Sequence, residues 1–257
     1  MSQAAEHDAV IEVRDFTAAF GDRIILEELN FDVRRGEVFV ILGRSGSGKS
    51  TLMKHMIGLH APRRGTIRID GDDIASADEA QRLRILKKFG VMFQSGALFG
   101  SMTLLENVRL PLEEFTDLPN EALTLIATMK LALVGLESFA QMMPSELSGG
   151  MKKRGAIARA MALDPQILFL DEPSAGLDPI TSAELDGLIL RICRTLGMTF
   201  VVVTHELPSI FTIADRVIMV DERTPGIVAE GLPQDLKEHS EDPRVRRFFH
   251  REGGSES

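Results

Sequence analysis

Between the apolar run "VFVIL" (Val38 to Leu42) and a helical pattern starting at Lys49, the chain reads "GRSGSGK", with glycine at 43, 46 and 48. Glycine is costly inside regular structure. It is used where the backbone must take left-handed angles or approach another group without a Cβ in the way. Gly43, Gly48, Lys49 and Ser50 satisfy G-x-x-x-x-G-K-[ST], directly after a strand and directly before a helix. The pattern arises by accident in roughly 1% of chains this long, and its setting between strand and helix makes accident rarer still. Such a loop wraps its N–H groups around a phosphate, and the helix N-terminus adds its partial positive charge. Gly46, Ser45 and Ser47 keep the loop free of bulk, and Arg44 and Thr51 complete the segment. Lys49 supplies a full charge for β- and γ-phosphates, and the Ser50 hydroxyl suits Mg²⁺. The segment from Gly43 to Thr51 thus reads as the cradle of a nucleoside triphosphate.

The rest of the chain alternates strands with helices. "AVIEVRDFTAAF", "LNFDVRRGEVFVIL", "GTIRIDG", "VMFQ", "QILFLDEP", "MTFVVVTH" and "RVIMVDE" read as strands. Helical patterns are expected over 49 to about 59, 151–163 and 180–196. This alternation predicts an α/β fold with a mostly parallel sheet covered on both faces. From about Gly100 to Glu146 the chain is Leu- and Met-rich without strand-like runs, and reads as an inserted helical subdomain. No run of 18 apolar residues is present, "MSQAAEHDAV" lacks the apolar core of a signal peptide, and the single Cys193 fits a reducing cytosol. A net charge of -9 argues against broad binding of nucleic acid or anionic membrane. The tail from Glu252 reads as disordered.

Two further stretches carry chemistry. "ILFLDEP" places Asp171 and Glu172 at the end of a buried strand, where open α/β sheets bind ligands. Asp171 would hold Mg²⁺ and Glu172 would polarise an attacking water as general base; a solvated acidic turn is the plainer reading. In "ELSGGMKKRGAIARAMAL", Ser148, Gly149 and Gly150 open a helix whose apolar face holds Ile157, Ala158 and Met161. A hydroxyl, two unhindered N–H groups and a helix N-terminus make a second phosphate cradle. The alternative is an ordinary Ser cap followed by a solvated basic stripe of Lys152, Lys153 and Arg154.

Together "GRSGSGKST", Gln94, "LSGGM", "ILFLDEP", "SAGLD" and His205 resemble the nucleotide-binding subunit of ABC transporters, over about Val10 to Gly231. Ser148 lies 23 residues before Asp171 and His205 lies 34 after it. The resemblance implies a P-loop NTPase fold of the ABC nucleotide-binding type, with an antiparallel β subdomain beside the mostly parallel core. It further implies an ATPase working as a head-to-tail homodimer, each ATP held between the P-loop of one copy and the Ser148-Gly149-Gly150 segment of the other. By the same resemblance Gln94 would contact Mg²⁺ and the attacking water, and Asp178 would reach across the dimer. His205 would hydrogen-bond the γ-phosphate, where the plain alternative is a strand-end histidine capping a turn. Phe20, 23 residues before Gly43, matches the aromatic that stacks on adenine, although tyrosine is usual there and this chain has none; a core aromatic is the other reading. Met151 stands where the signature usually has glutamine, and a thioether offers no donor.

"FQSGALFGSMTLLENVRLPL", "LSGGMKKRGAIARA" and "DEPSAGLDPITS" look like the ATPase of Mce-associated, Mla-type phospholipid transporters. That resemblance implies a membrane permease, an Mce-domain lipid carrier and in some systems a STAS-domain protein as partners. It places the chain peripherally on the cytoplasmic side of the inner membrane. "SGALFGSM" is expected to expose Leu98, Phe99 and Met102, either as a groove for a permease helix between Gln94 and Thr103 or as local core packing. The expected division is an ABC ATPase domain over 10–231, with the helical insertion at about 100–150, and a C-terminal extension over 232–257. Pro243, Val245, Phe248 and Phe249 predict a short amphipathic helix there, docked on its own subunit rather than on the dimer partner. A soluble ABC ATPase of translation or DNA repair is the alternative function. Against it stand the single P-loop, the single signature and the absence of a basic composition.

Overall fold

A computed structural model describes residues 9–250 of the chain. The tail from Glu252, and all but the end of the N-terminal stretch discussed above, lie outside them. In chain order the elements are β1 (Ala9–Phe20), β2 (Arg23–Arg34), β3 (Val38–Leu42), α1 (Lys49–Met56), β4 (Arg64–Ile69), β5 (Asp72–Asp73), α2 (Glu79–Leu86), β6 (Phe89–Met92), α3 (Leu104–Phe115), α4 (Asn120–Leu133), α5 (Gly149–Ala160), β7 (Ile167–Asp171), α6 (Pro179–Leu196), β8 (Thr199–Val203), α7 (Leu207–Ile213), β9 (Arg216–Val220), β10 (Ile227–Gly231), α8 (Pro233–His239) and α9 (Pro243–His250). They fall into two units, one made of residues 9–86 with 203–250 and the other of Lys87–Val202.

The first unit holds an antiparallel sheet of order β2-β1-β4-β5. Ile67 and Ile69 face one side of β4 and both are fully buried, as strand alternation requires. The β1–β2 pairing slips between Val13 and Phe16, where Asp15 takes a left-handed φ of 49°. Asn30 Oδ1 accepts the Asp15 N–H at 2.9 Å, so the bulge keeps its backbone satisfied. In the same unit β3 runs parallel to β9, and β10 returns antiparallel on β9. Every residue of β3 is buried, the composition of a strand covered on both faces. Helix α9 docks on its own chain, with Val245 and Phe249 buried and the Phe249 ring 5.6 Å from that of Phe211.

In the second unit β6, β7 and β8 lie in the order β8-β7-β6, and β6 and β7 are parallel with Met92 opposite Leu170. Phe169 and Phe200 are fully buried, each worth about 1.5–3 kcal/mol of transfer free energy. Gly90 is where α5 meets the sheet: a Cβ there would stand 1.9 Å from the Ala160 carbonyl oxygen. Residues 100–150 carry α3, α4, single 3₁₀ turns at Glu137–Phe139 and Pro144–Glu146, and the start of α5. Thr103 caps α3 through a reciprocal pair with Glu106. Helix α6 starts on Asp178-Pro179 and stops at Gly197, φ 64°, which follows the usual preference for Pro inside the start and Gly past the end.

Three helix bounds differ from expectation by two residues or more, one of them the end of α5, at Ala160 rather than Leu163. α1 stops at Met56 rather than near Leu59, because Gly58 turns left-handed at φ 73° and its N–H bonds to the His55 carbonyl. α5 opens at Gly149, two residues earlier than the apolar periodicity indicated, because Ser148 caps it.

Candidate nucleotide site

The glycine loop of the first unit is built as the sequence implied. Strand β3 delivers the chain to Gly43, where a Cβ would lie 2.3 Å from the Val220 carbonyl oxygen and 2.6 Å from Ser47 Oγ. Gly46 and Gly48 take left-handed φ of 86° and 95°, and Gly48 opens α1 with no side-chain cap. The N–H groups at this helix start are therefore not taken by a capping side chain. Lys49 is 6% exposed and its Nζ donates to the carbonyls of Gly43 and Arg44, both at 2.9 Å. Those bonds hold the ammonium over the loop. The Ser47 hydroxyl is buried with no hydrogen-bond partner among the described residues, so it has bonding capacity to spare for a phosphate oxygen or a water. A loop whose Gly43 admits no Cβ, an ammonium held over it and an orphan hydroxyl fit a polyphosphate.

His205 is placed by its neighbours in the same unit. The Thr204 N–H bonds to the Ile41 carbonyl at 3.3 Å, and Thr204 Oγ1 accepts from the Glu206 N–H at 3.1 Å. The turn carrying His205 is thus fixed to the strand that feeds the glycine loop. The imidazole is 54% exposed, with Nε2 3.8 Å from the Glu206 carboxylate. Phe20 is 56% exposed, not a core aromatic, and its ring meets His60 edge-on at 6.1 Å. An exposed aromatic face suits stacking on a base.

The other candidate residues lie in the second unit. Register puts the ends of β6 and β7 level, so Gln94, two residues past β6, and Asp171-Glu172, at the end of β7, leave the same edge of the sheet. Gln94 is exposed, whereas Asp171 and Glu172 are 8% and 9% exposed. Glu172 takes a left-handed φ of 46°, a strained conformation for a residue with a long side chain. Ser148 Oγ accepts from the Met151 N–H at 3.2 Å as the cap of α5. Gly149 is open, a Cβ there meeting only Leu177 Cδ2 at 3.5 Å, but at Gly150 it would stand 2.4 Å from Thr181 Cγ2. Asp178 Oδ1 accepts the N–H groups of Ile180 and Thr181 at 3.1 Å each, and Oδ2 the Thr181 hydroxyl at 2.5 Å. Those bonds, the Thr181 hydroxyl first, hold its carboxyl below the usual aspartate range. Asp178 caps a helix, a duty that the resemblance did not include.

One alternative and one expectation need correcting. The basic stripe after Ser148 is not all solvated: Lys153 is 7% exposed and donates to the Gln94 carbonyl and, at 3.3 Å, to the Glu172 carbonyl. Burial lowers its pKa, against the pull of the Glu172 and Asp171 carboxylates. Its signal in the sequence was phase, because Lys153 shares a helix face with Ala156 and Ile157, both fully buried. In "SGALFGSM" only Phe99, 51% exposed, stands out; Leu98 and Met102 are half-buried. Asn107, fully buried, explains this: it accepts from the Phe99 N–H at 2.7 Å and donates to the carbonyls of Phe99, Met102 and Thr103 at 2.9–3.1 Å. Arg159 fixes the other end of the loop through the carbonyls of Ala97 and Gly96.

Among the described residues no cluster of three or more His, Cys, Asp or Glu could hold a metal by itself. Ser50 in the first unit, and Gln94 and Asp171 in the second, each carry a side-chain oxygen, the kind of ligand that Mg²⁺ takes alongside water and substrate phosphates. No helix among the described residues is long and apolar enough to cross a membrane.

A strand, glycine loop and helix in one unit, and paired acids at the end of a parallel strand in the other, define a P-loop nucleotide hydrolase. The ABC transporter family matches residues 26–175, more than half of the chain, and the chain belongs to that family as an ATP-binding protein whose ATP hydrolysis is coupled to transport. It is 41% identical over 240 residues to the intermembrane phospholipid transport system ATP-binding protein MlaF of Haemophilus influenzae, across 93% of this chain and 90% of that one. With the probable ribonucleotide transport ATP-binding protein mkl of Mycobacterium leprae it shares 43% over 239 residues, 93% of this chain and 68% of that one. Among solved structures, the ATP-binding cassette MJ0796, dimeric and bound to ADP and Pi in a post-hydrolysis state, matches with a TM-score of 0.77 at 32% identity, over 86% of this chain and 98% of that one. The structure of cbiO1 from Clostridium perfringens, part of the ABC transporter complex cbiONQ, gives 0.83 at 28%, over 95% and 98%.

Proposed function

We propose that this ATPase powers the movement of phospholipids between membranes of the cell envelope, working as a homodimer on a separate membrane permease. The observation that carries the cargo is the 41% identity with the MlaF protein, spread over nine-tenths of both chains. The mkl relatives are named for ribonucleotides, but this chain spans only 68% of the one from Mycobacterium leprae. The dimer follows MJ0796, and an Mce-domain lipid carrier and a STAS-domain protein are the further partners. The proposed place is the cytoplasmic face of the inner membrane, reached through the permease. There the loop from Gln94 to Thr103 would dock, led by exposed Phe99. The ATPase domain would cover 10–231, with the helical insertion at about 100–150, and 232–257 would form the extension.

In this reading Phe20 stacks on adenine and residues 43–51 wrap the phosphates. Lys49 exchanges carbonyl partners for phosphate oxygens. Ser50, Gln94 and Asp171 would hold Mg²⁺, which neutralises phosphate charge when bound. Glu172 takes a proton from the attacking water, Gln94 orients that water, and His205 bonds the γ-phosphate. Ser148, Gly149, Gly150 and Asp178 serve the nucleotide of the partner copy.

The test is to extract the chain from native membranes in mild detergent and identify every protein and lipid that accompanies it by mass spectrometry. A polytopic permease, a single-span Mce-type protein and bound phospholipid are expected. Ribosomes or repair proteins instead would overturn the transport partner, and bound ribonucleotide without lipid would overturn the cargo.

A further inference from the structure

Lys153 is a buried cation that the reading above leaves without a task. It is the fifth residue of α5, whose cap is Ser148, and its two acceptors are not core groups but the main-chain carbonyls of Gln94 and Glu172. Those residues follow the ends of neighbouring parallel strands, by two residues after β6 and one after β7. One ammonium thus joins the loop after β6, the acidic end of β7 and the helix that begins at Ser148. A buried ammonium is tolerated only when it is hydrogen-bonded. A residue such as Glu172, held left-handed at φ 46°, persists only when its surroundings over-determine it. The bond from Lys153 to Glu172's own carbonyl is one such constraint.

We propose that Lys153 is a positioning residue for ATP hydrolysis, fastening the Gln94 and Glu172 backbones to the Ser148 helix so that the Glu172 side chain is presented to the attacking water. The inference rests on Glu172 being the general base. Lys153 does not touch the nucleotide in this scheme and acts only through the two carbonyls. Misplacing a catalytic group by about 1 Å can cost on the order of 10²-fold in rate, so loss of this tie should appear in turnover and not in affinity.

The experiment compares Lys153→Met, Lys153→Arg and Glu172→Gln in the full chain, measuring kcat, KM and the Kd for ATP with Mg²⁺. Methionine fills the space without a donor, whereas arginine keeps donors for both carbonyls. For Lys153→Met, kcat is expected to fall about 10- to 100-fold while the Kd stays near wild type, and Lys153→Arg should recover most of that loss. Unchanged turnover in Lys153→Met would overturn the proposal. So would a Kd that worsens in step with kcat, or an arginine variant as slow as the methionine one. If Lys153→Met does not fold, Lys153→Gln is judged by the same three criteria. Glu172→Gln separates the two ideas: if it stays active, the general-base reading fails, and if it is inactive beside an unaffected Lys153→Met, the tie alone fails.

Discussion

Gly150 and Thr181 touch so closely that a Cβ on the glycine would stand 2.4 Å from the threonine's Cγ2. Thr181 is β-branched, so its methyl cannot swing aside freely, and its hydroxyl is bonded to Asp178. The second signature glycine is therefore a packing requirement between α5 and the first turn of α6. Gly150→Ala should lower stability by about 1–3 kcal/mol through overpacking, and Thr181→Ser, which removes the methyl, should restore much of it. Gly149→Ala, which meets only Leu177 at 3.5 Å, should melt near the wild-type temperature. Thermal melts of these variants decide the matter, and equal losses at both glycines would refute the packing argument.

Glu172→Gln should keep ATP bound and slow turnover by on the order of 10²–10⁴-fold, the usual share of a general base. The basis is an acid 9% exposed, at a strand end and in a strained conformation. Steady-state hydrolysis beside a nucleotide-retention assay checks it. Near-normal turnover would remove Glu172 from the role.

Ser148→Arg should abolish hydrolysis yet leave nucleotide binding intact, because Ser148 is proposed to serve the partner's ATP. Mixed with Lys49→Ala subunits, it should regain part of the activity, since one site of the mixed dimer is whole. If mixed dimers are shown to form and no activity returns, the exchange of site residues between copies is wrong.

Asp242 gives a pH prediction. Its carboxylate accepts from the Arg244 guanidinium, and this bond above all lowers its pKa to about 2. A carboxyl whose folded pKa lies below its ordinary value of about 3.9 adds stability above that value and loses it as pH falls toward about 2. The pair is partly exposed, so it is worth less than about 1 kcal/mol at neutral pH. Asp242→Asn should lower the urea midpoint slightly at pH 7, and the gap to wild type should narrow below about pH 4. A gap independent of pH would place the effect elsewhere than in the charge.

Legibility followed burial. The five-residue runs of β3, β7 and β8 are buried at every position, so their hydrophobicity alone identified them. Helix α6 announced both ends through Asp178-Pro179 and Gly197. β10 and α8 were missed because each is short, the first only half-buried and the second mostly exposed, leaving little apolar periodicity to read. The burial of Lys153 was not legible because sequence shows charge and not depth. Leu98 and Met102 were misread because the buried amide that draws their loop inward, Asn107, lies on the following helix. The glycine loop was readable in full, because each of its glycines answers a local backbone requirement.

The contact between Gly90 and Ala160 has a mechanical meaning. With no side chain of residue 90 between them, β6 and the C-terminal end of α5 meet through backbone, leaving little soft material to absorb a push. A helix of 12 residues is about 18 Å long, and it is held near both ends, by Gly90 at Ala160 and by Thr181 at Gly150. A displacement of β6, the strand that leads to Gln94, would therefore be passed to Ser148 by α5 moving as one rigid piece rather than by bending.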